Sequence, residues 1–437
     1  MKISVIGCGY LGAVHAASMA ELGHEVVGID VDEARVASLS SGIAPFHEPG
    51  FNELLRSNLE RLHFSTDFST VQGHTVHFLA VGTPQAPDGS VDMTYVNQAV
   101  KDLVPFLSPG DLVVGKSTVP VGTSTRLAEI VAPTGAVLMW NPEFLREGFA
   151  VEDTLAPDRL VYGVSEDDAG KAATAILDAV YQAILAKNTP RLIMNFATAE
   201  LVKVAANSFL ATKISFINAM AEIADVTGAN VTQLADAIGH DSRIGRRFLN
   251  AGIGFGGGCL PKDIRGFVAR ANELGVGSSL AFLTDVDEIN MRRRGRVKEI
   301  LEEELGDLAG KTIAVWGLAF KPDSDDIRDS PALDIAQSLV TAGALVVATD
   351  PEALKPAGRR VDAAGMSDRL TLVHNHRDAV HGVDAIVVAT EWDQYRDENP
   401  SDIALLVAHP LVVDGRNCLS PDDWKAAGFR YRGMGRT

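Results

Sequence analysis

The chain has 437 residues, too many for one ordinary hydrophobic core, so two or three domains are expected. Its formal charge of −18, from 39 basic and 57 acidic residues, argues against non-specific binding to nucleic acid or an anionic membrane. It leaves room for a local anion site holding a phosphorylated ligand. Cys8, Cys259 and Cys418 are widely spaced and odd in number, which suits neither a disulfide framework nor a zinc site. No metal is expected, and a reducing compartment is. Met1 runs straight into KISVIG without the marks of a secretory signal. No apolar run approaches the ~20 residues that span a bilayer. The expected location is the cytoplasm.

The first element is a short β-branched strand, KISVIG, breaking into Gly7-Cys8-Gly9-Tyr10-Leu11-Gly12. A helix is predicted to about Leu22, and HEVVGID reads as a second strand ending at Asp30. A GxGxxG between strand and helix, answered by an acid at the end of the next strand, marks a dinucleotide-binding unit. Gly7 permits the tight turn, Gly9 admits the pyrophosphate and Gly12 lets helix and strand pack closely. The helix N-terminus, with Tyr10 and Leu11, faces the phosphates. Asp30 is suited to ribose hydroxyls and would repel a 2′-phosphate, so the expected cofactor is NAD. Cys8 reads as a small packing residue.

Strands at 76–84, 111–118 and 137–145 alternate with helices at 91–107 and 122–131, which predicts a parallel, doubly wound sheet. Ligands of such sheets bind at the carboxyl ends of the strands. Thr83, Ser117, Thr118 and Asn141-Pro142-Glu143 stand at those ends. From Phe196 the pattern turns helical, with a long central helix to about Glu222 and a stop at Gly228. Lys203 and Asn207 lie four apart on it, on one face.

Helical segments continue to about Glu304, interrupted by GFGGGCLPKD. Its glycines can take positive φ and approach a ligand closely. A thiol there, with Lys262 and Asp263 within four residues, suggests an activated nucleophile or else a structural cysteine in a turn. At Lys311 the order strand, Gly turn, helix, strand, Asp starts again, with Asp350 echoing Asp30. The expected class is therefore α/β, two Rossmann-like doubly wound domains joined by a helical connector with a long central helix. The boundaries are 1–195 for the NAD-binding domain, 196–305 for the connector and dimerisation domain with the cysteine loop, and 306–437 for the second Rossmann-like domain.

At this point the motifs GCGYLG (7–12), VGTP (81–84), KSTVPVGT (116–123), NPEFLREG (141–148), APDR (156–159), ELVKVAANSF (200–209), FGGGCLPKD (255–263), GLAFKPDSDDIRDSP (317–331) and DGRN (414–417) together resemble the UDP-glucose/GDP-mannose dehydrogenase family. The resemblance spans almost the whole chain. It implies four-electron oxidation of a nucleotide sugar's C6 alcohol to a carboxylate with two NAD. Cys259 would hold the aldehyde as a thiohemiacetal and then a thioester. Lys203, with Asn207, would stabilise the oxyanion at C6, Asp263 would orient or deprotonate water, and Glu143 would act as base in the hydrolysis, with Thr118 sharing in proton transfer.

By the same resemblance Arg35 joins Asp30 at the adenosine, and Thr83, Thr118, Glu147 and Arg328 contact the cofactor. The UDP-sugar would meet the stretch Glu143, Phe144, Leu145, Arg146 and Glu147, together with Phe255, Gly256, Lys321 and Arg416. Arg243 would reach the sugar nucleotide of a neighbouring subunit, implying a homodimer. Two positions depart from the family's pattern: Asn250 replaces a basic residue, and Gly258 a small hydroxyl residue before the cysteine. The sugar expected is UDP-glucose. GDP-mannose, UDP-N-acetylmannosamine and a two-electron hydroxyacid-type dehydrogenase are the alternatives.

Overall fold

The computed structural model describes residues 1–436. The chain divides into two compact units, one of Met1–Ala206 with Arg265–Gly277, the other of Asn207–Ile264 with the chain from Ser278 onward. Each is described by itself.

The first unit is built on eight strands: β1 (Lys2–Ile6), β2 (Glu25–Ile29), β3 (Leu62–Ser65), β4 (Val76–Leu79), β5 (Leu112–Gly115), β6 (Val137–Trp140), β7 (Leu160–Val164) and β8 (Arg191–Asn195). Their order is β3-β2-β1-β4-β5-β6-β7-β8. The inner strands are apolar at nearly every position because both faces of a parallel sheet are covered. Side chains alternate between faces, so Val26 joins one core with Ile3, Val5 and Phe78, while Val27 joins another with Ile6 and Leu79.

Two expectations need correction. The strand predicted over 137–145 stops at Trp140, because Pro142 has no N–H to donate to a ladder. The sheet is also not wholly parallel: β7 meets β6 antiparallel at Trp140 and Gly163 before β8 resumes parallel pairing.

The second unit carries a six-stranded, all-parallel sheet of β9 (Thr312–Trp316), β10 (Leu345–Thr349), β11 (Leu370–Leu372), β12 (Ala385–Val388), β13 (Leu411–Asp414) and β14 (Arg430–Gly433), in the order β11-β10-β9-β12-β13-β14. Relabelled from its own first strand this is 3-2-1-4-5-6, the same winding as the first six strands of the other sheet. The internal repeat is thus real at the level of topology. Asp350 repeats two contacts of Asp30, each accepting the N–H after its turn glycine and the N–H two residues on, and then adds more. Its buried carboxylate accepts the N–H groups of Leu318, Ala319, Glu352 and Ala353 and faces the Trp392 indole. It pins its own turn shut.

The central helix runs over Phe196–Thr227, 32 residues, and Gly228 ends it at φ 74°. Among the described residues no helix is long and apolar enough to cross a membrane.

Candidate active site

In the first unit, Gly7 sits at φ 88°, and a Cβ there would lie 2.7 Å from the backbone of Val81. A Cβ on Gly12 would strike the Gly7 carbonyl oxygen at 1.8 Å, so these two glycines set how tightly turn and helix close. A Cβ on Gly9 would meet nothing within 4 Å, and no side chain caps the helix Tyr10–Glu21. The turn therefore offers open space in front of a helix N-terminus, which fits the pyrophosphate of a dinucleotide. Asp30 is buried and accepts the Cys8 N–H at 2.7 Å and the Asp32 N–H at 3.0 Å. Arg35 Nη1 lies 2.9 and 3.0 Å from its two oxygens. Those contacts fix the carboxylate's orientation at the strand end. Cys8 is fully buried, which pushes its thiol far above the usual range, and it packs in the core as expected.

The NPEFLREG turn follows β6. Glu143 accepts the Leu145 N–H at 2.8 Å with one oxygen and meets Lys203 Nζ at 3.0 Å with the other. Both side chains are largely buried, so this ion pair is weakly screened. Phe144 lies under two cations, with Arg159 at 3.9 Å and Lys203 at 5.6 Å from its ring centroid. Arg146 instead turns to Asp153, donating through Nε and Nη2. Ser117 Oγ donates to Val81 O, tying two strand ends together, and Thr83 and Glu147 are buried nearby in sequence to these ends.

Three positioning groups escaped the sequence reading. Buried Glu48 accepts the Gly148 and Ala150 N–H groups at 2.7 Å each and the Tyr10 hydroxyl, joining the glycine turn to the end of NPEFLREG. Buried Glu200 accepts the N–H groups of Gly122 and Ser124 and the Ser124 hydroxyl, which anchors the central helix one turn before Lys203. Lys116 reaches Asn141 and Tyr181. Glu200 and Lys116 lie inside quoted motifs, but spacing alone does not show what a side chain faces.

In the second unit, Cys259 is exposed and immediately precedes the helix Leu260–Glu273, whose dipole favours a thiolate. The Asp263 N–H closes the first turn on Cys259 O at 2.9 Å. Asp263 is buried, and its two oxygens accept from Asn207 Nδ2 and Lys262 Nζ, both at 2.6 Å. Three of the predicted residues thus meet at one helix start.

The glycine run is not a flexible loop. Residues 251–257 are buried, and Asn290 clamps Phe255 by accepting its N–H at 2.7 Å and donating to its carbonyl at 3.0 Å. Arg294 Nη2 donates to the same carbonyl, and the Gly257 N–H donates to Arg328 O. A Cβ on Gly256 would lie 2.2 Å from Asp329 O, and on Gly257 2.8 Å from the Phe320 ring. On Gly258 it would fall 2.3 Å from the Arg328 guanidinium carbon. Packing, more than freedom, is what the glycines supply here.

Arg416 spends its fork on three carbonyls, Ala389, Gly254 and Phe320, and so staples three loops beside the cysteine run. Lys321 sits 5.5 Å from the Phe320 ring centroid. Arg243 is largely exposed and paired with Asp241. Arg246 holds the Asn250 side chain at 2.8 Å, so a cation stands beside the position where the basic residue is missing.

Three domain models of one family match the chain in series: the NAD binding domain over residues 1–185, the central domain over 197–292 and the UDP binding domain over 314–421. The chain belongs to the UDP-glucose/GDP-mannose dehydrogenase family. It is 40% identical over 443 residues to the UDP-glucose 6-dehydrogenase TuaD of Bacillus subtilis, covering 100% of this chain and 93% of that one. To a UDP-glucose 6-dehydrogenase of Pseudomonas aeruginosa it is also 40% identical, over 452 residues and 98% of that chain. Among solved structures, a UDP-glucose dehydrogenase of Pyrobaculum islandicum superposes with a TM-score of 0.89 at 38% identity, covering 100% of this chain and 98% of that one. A UDP-D-ManNAc dehydrogenase of Pyrococcus horikoshii gives 0.85 at 28% identity, with coverage of 100% and 99%. The family's members thus act on more than one sugar, and the more similar ones carry the UDP-glucose name.

Proposed function

We propose that this chain is a UDP-glucose 6-dehydrogenase, an oxidoreductase that converts the C6 alcohol of UDP-glucose to the carboxylate of UDP-glucuronate. The observation that carries the reading is an exposed Cys259 on a rigid, buried glycine run at a helix start, with Asp263, Asn207 and Lys262 joined beside it. NAD, when bound, supplies the hydride acceptor for both oxidations.

A two-electron alcohol oxidation needs no nucleophilic thiol, whereas a four-electron one must hold the aldehyde in between. The Cys259 thiolate adds to the aldehyde carbon, forming a C–S bond, and the carbonyl oxygen becomes the hydroxyl of a thiohemiacetal. After the second oxidation the sulfur carries a thioester. Water adds to its carbonyl, the C–S bond breaks, and carboxylate and thiol are released.

Lys203 is assigned to the oxyanion formed at C6. Glu143, held against Lys203, is assigned as base for the hydrolytic water, with Thr118 sharing the proton transfers. Asp263, fixed by Asn207 and Lys262, orients water. Asp30, Arg35, Thr83, Ser117, Glu147 and Arg328 are assigned to the cofactor, and Phe144 to Glu147, Phe255, Gly256, Lys321 and Arg416 to the UDP-sugar.

The homodimer belongs to the same reading. Phe209, Phe216 and Ile223 recur at seven-residue spacing on the central helix and are 67%, 49% and 53% exposed. An apolar seam of that period suits a second copy of the same helix, and exposed Arg243 would then reach across to its neighbour's sugar nucleotide.

The test is the initial rate of NADH formation with UDP-glucose, GDP-mannose and UDP-N-acetylmannosamine. UDP-glucose is expected to exceed the others by at least about 100-fold in kcat/KM. A preference for either of the others would keep the chemistry and overturn the substrate.

A further inference from the structure

Lys116, at the carboxyl end of β5, is buried, yet among the described residues no carboxylate is its hydrogen-bond partner. Its ammonium donates to Asn141 Oδ1 at 3.0 Å, to Asn141 O at 3.3 Å and to the Tyr181 hydroxyl at 3.4 Å. It lies 5.9 and 6.0 Å from the Phe78 and Tyr181 ring centroids. A buried lysine without a hydrogen-bonded anion is costly, and a neutral side chain of the same shape would fill this space more cheaply. A rule of local stability broken at this place points to function.

What Lys116 does hold is the turn that carries Glu143. The Asn141 amide is locked from four sides: Lys116 and the Tyr181 hydroxyl on Oδ1, Val161 O on Nδ2, and Gly115 O on the backbone N–H. Glu143 follows two residues later and pairs with Lys203. The titratable groups around the ammonium are Glu143, Lys203, His15, Tyr181 and, behind Tyr181, Tyr162. One carboxylate therefore shares its surroundings with two lysines. Burial pulls the Lys116 pKa down to about 8, Glu143 acts upward and Lys203 downward.

We propose that Lys116 is a positioning residue for the chemistry at Glu143: its ammonium locks the Asn141–Pro142 turn and so holds Glu143 where it meets Lys203. The proposal rests on the UDP-glucose dehydrogenase reading and on the role given there to Glu143. Lys116 acts through Glu143 and need touch neither substrate nor cofactor.

The experiment compares wild type, Lys116→Met and Lys116→Arg by kcat and by KM for UDP-glucose and NAD, with the thermal midpoint of each as a control for folding. The Met side chain fills the same space but cannot donate to Asn141 or Tyr181. The kcat of that variant near neutrality should fall by about 10- to 100-fold, with KM for both substrates changed less than about 3-fold. The Arg variant can still donate to Asn141 and should hold kcat within about 3-fold of wild type. Should Lys116→Met fail to fold, Lys116→Gln carries the same comparison. A neutral variant that folds and stays within about 2-fold of the wild-type kcat, or whose loss falls on KM instead, overturns the proposal. A wild-type protein that does not oxidise UDP-glucose removes the functional reading and this proposal with it, and so separates the two failures.

Discussion

Asn290 shows how much of the site depends on a residue that does no chemistry. Fully buried, it exchanges two hydrogen bonds with the Phe255 backbone, four residues before Cys259. Truncation to alanine would strand a buried N–H, although the Phe255 carbonyl keeps Arg294. Asn290→Ala is expected to lower stability by about 2 to 3 kcal/mol, read from the urea midpoint, and to lower kcat more than it raises KM. Unchanged stability would mean that the glycine run holds its own shape. At this scale the sequence exposed the residues with distinctive chemistry. Spacing singled out Cys259 behind three glycines and the Lys203/Asn207 pair one turn apart but left a structural turn and a solvated stripe open, and the family motifs supplied their roles. Asn290, Glu48 and Glu200 could not be singled out, because a single polar residue in a helix or loop looks the same whether it faces solvent or a buried backbone.

At the scale of elements, the central helix was legible as a long apolar repeat, and its outer face makes the next prediction. Phe216 is half exposed at the middle of the Phe209–Phe216–Ile223 row. A charge there would have to be desolvated in a helix-to-helix seam but costs little on a free surface. Phe216→Glu should therefore halve the mass measured by analytical ultracentrifugation while leaving the circular dichroism spectrum intact. A wild-type protein that sediments as a monomer would remove the seam's assigned partner. Five of the eight strands of the first sheet were read from their β-branched runs, with ends too long by several residues where Pro142 and the Ser117–Thr118 turn leave the ladder. β3, β7 and β8 were missed, β8 for a physical reason. At the sheet edge its residues are mostly exposed, so RLIMN carries no burial pattern to read.

For the molecule as a whole, the twofold use of one winding was visible as strand–Gly turn–helix–strand–Asp, but the extra contacts that hold Asp350 were not. Both accept an N–H from the glycine turn and one from two residues on; Asp350 adds Ala319 and Ala353, where Asp30 meets Arg35. Global stability should carry a mark of the buried histidines. His77 is fully buried, bonded to Ser4 Oγ at 2.7 Å, and burial lowers its pKa to about 4, against an upward pull from Asp111. His15, fully buried beside Lys116, is also held low by burial. A folded-state pKa below the unfolded value means that the unfolded chain binds the extra proton. The stability from His77 is thus complete above about pH 6.5 and is lost as the pH falls towards about 4, by up to about 3 kcal/mol. Denaturant unfolding at intervals across that window should show the fall, and His77→Gln should flatten it. An unchanged slope in that variant would place the acid sensitivity elsewhere.

The central claim is that a thiol holds the substrate between two oxidations, and it is tested most directly by counting NADH formed per UDP-glucose consumed. The account predicts two NADH per sugar for the wild-type protein and no completed oxidation to UDP-glucuronate by Cys259→Ala. One NADH per sugar, or a Cys259→Ala variant that still yields two, would contradict it.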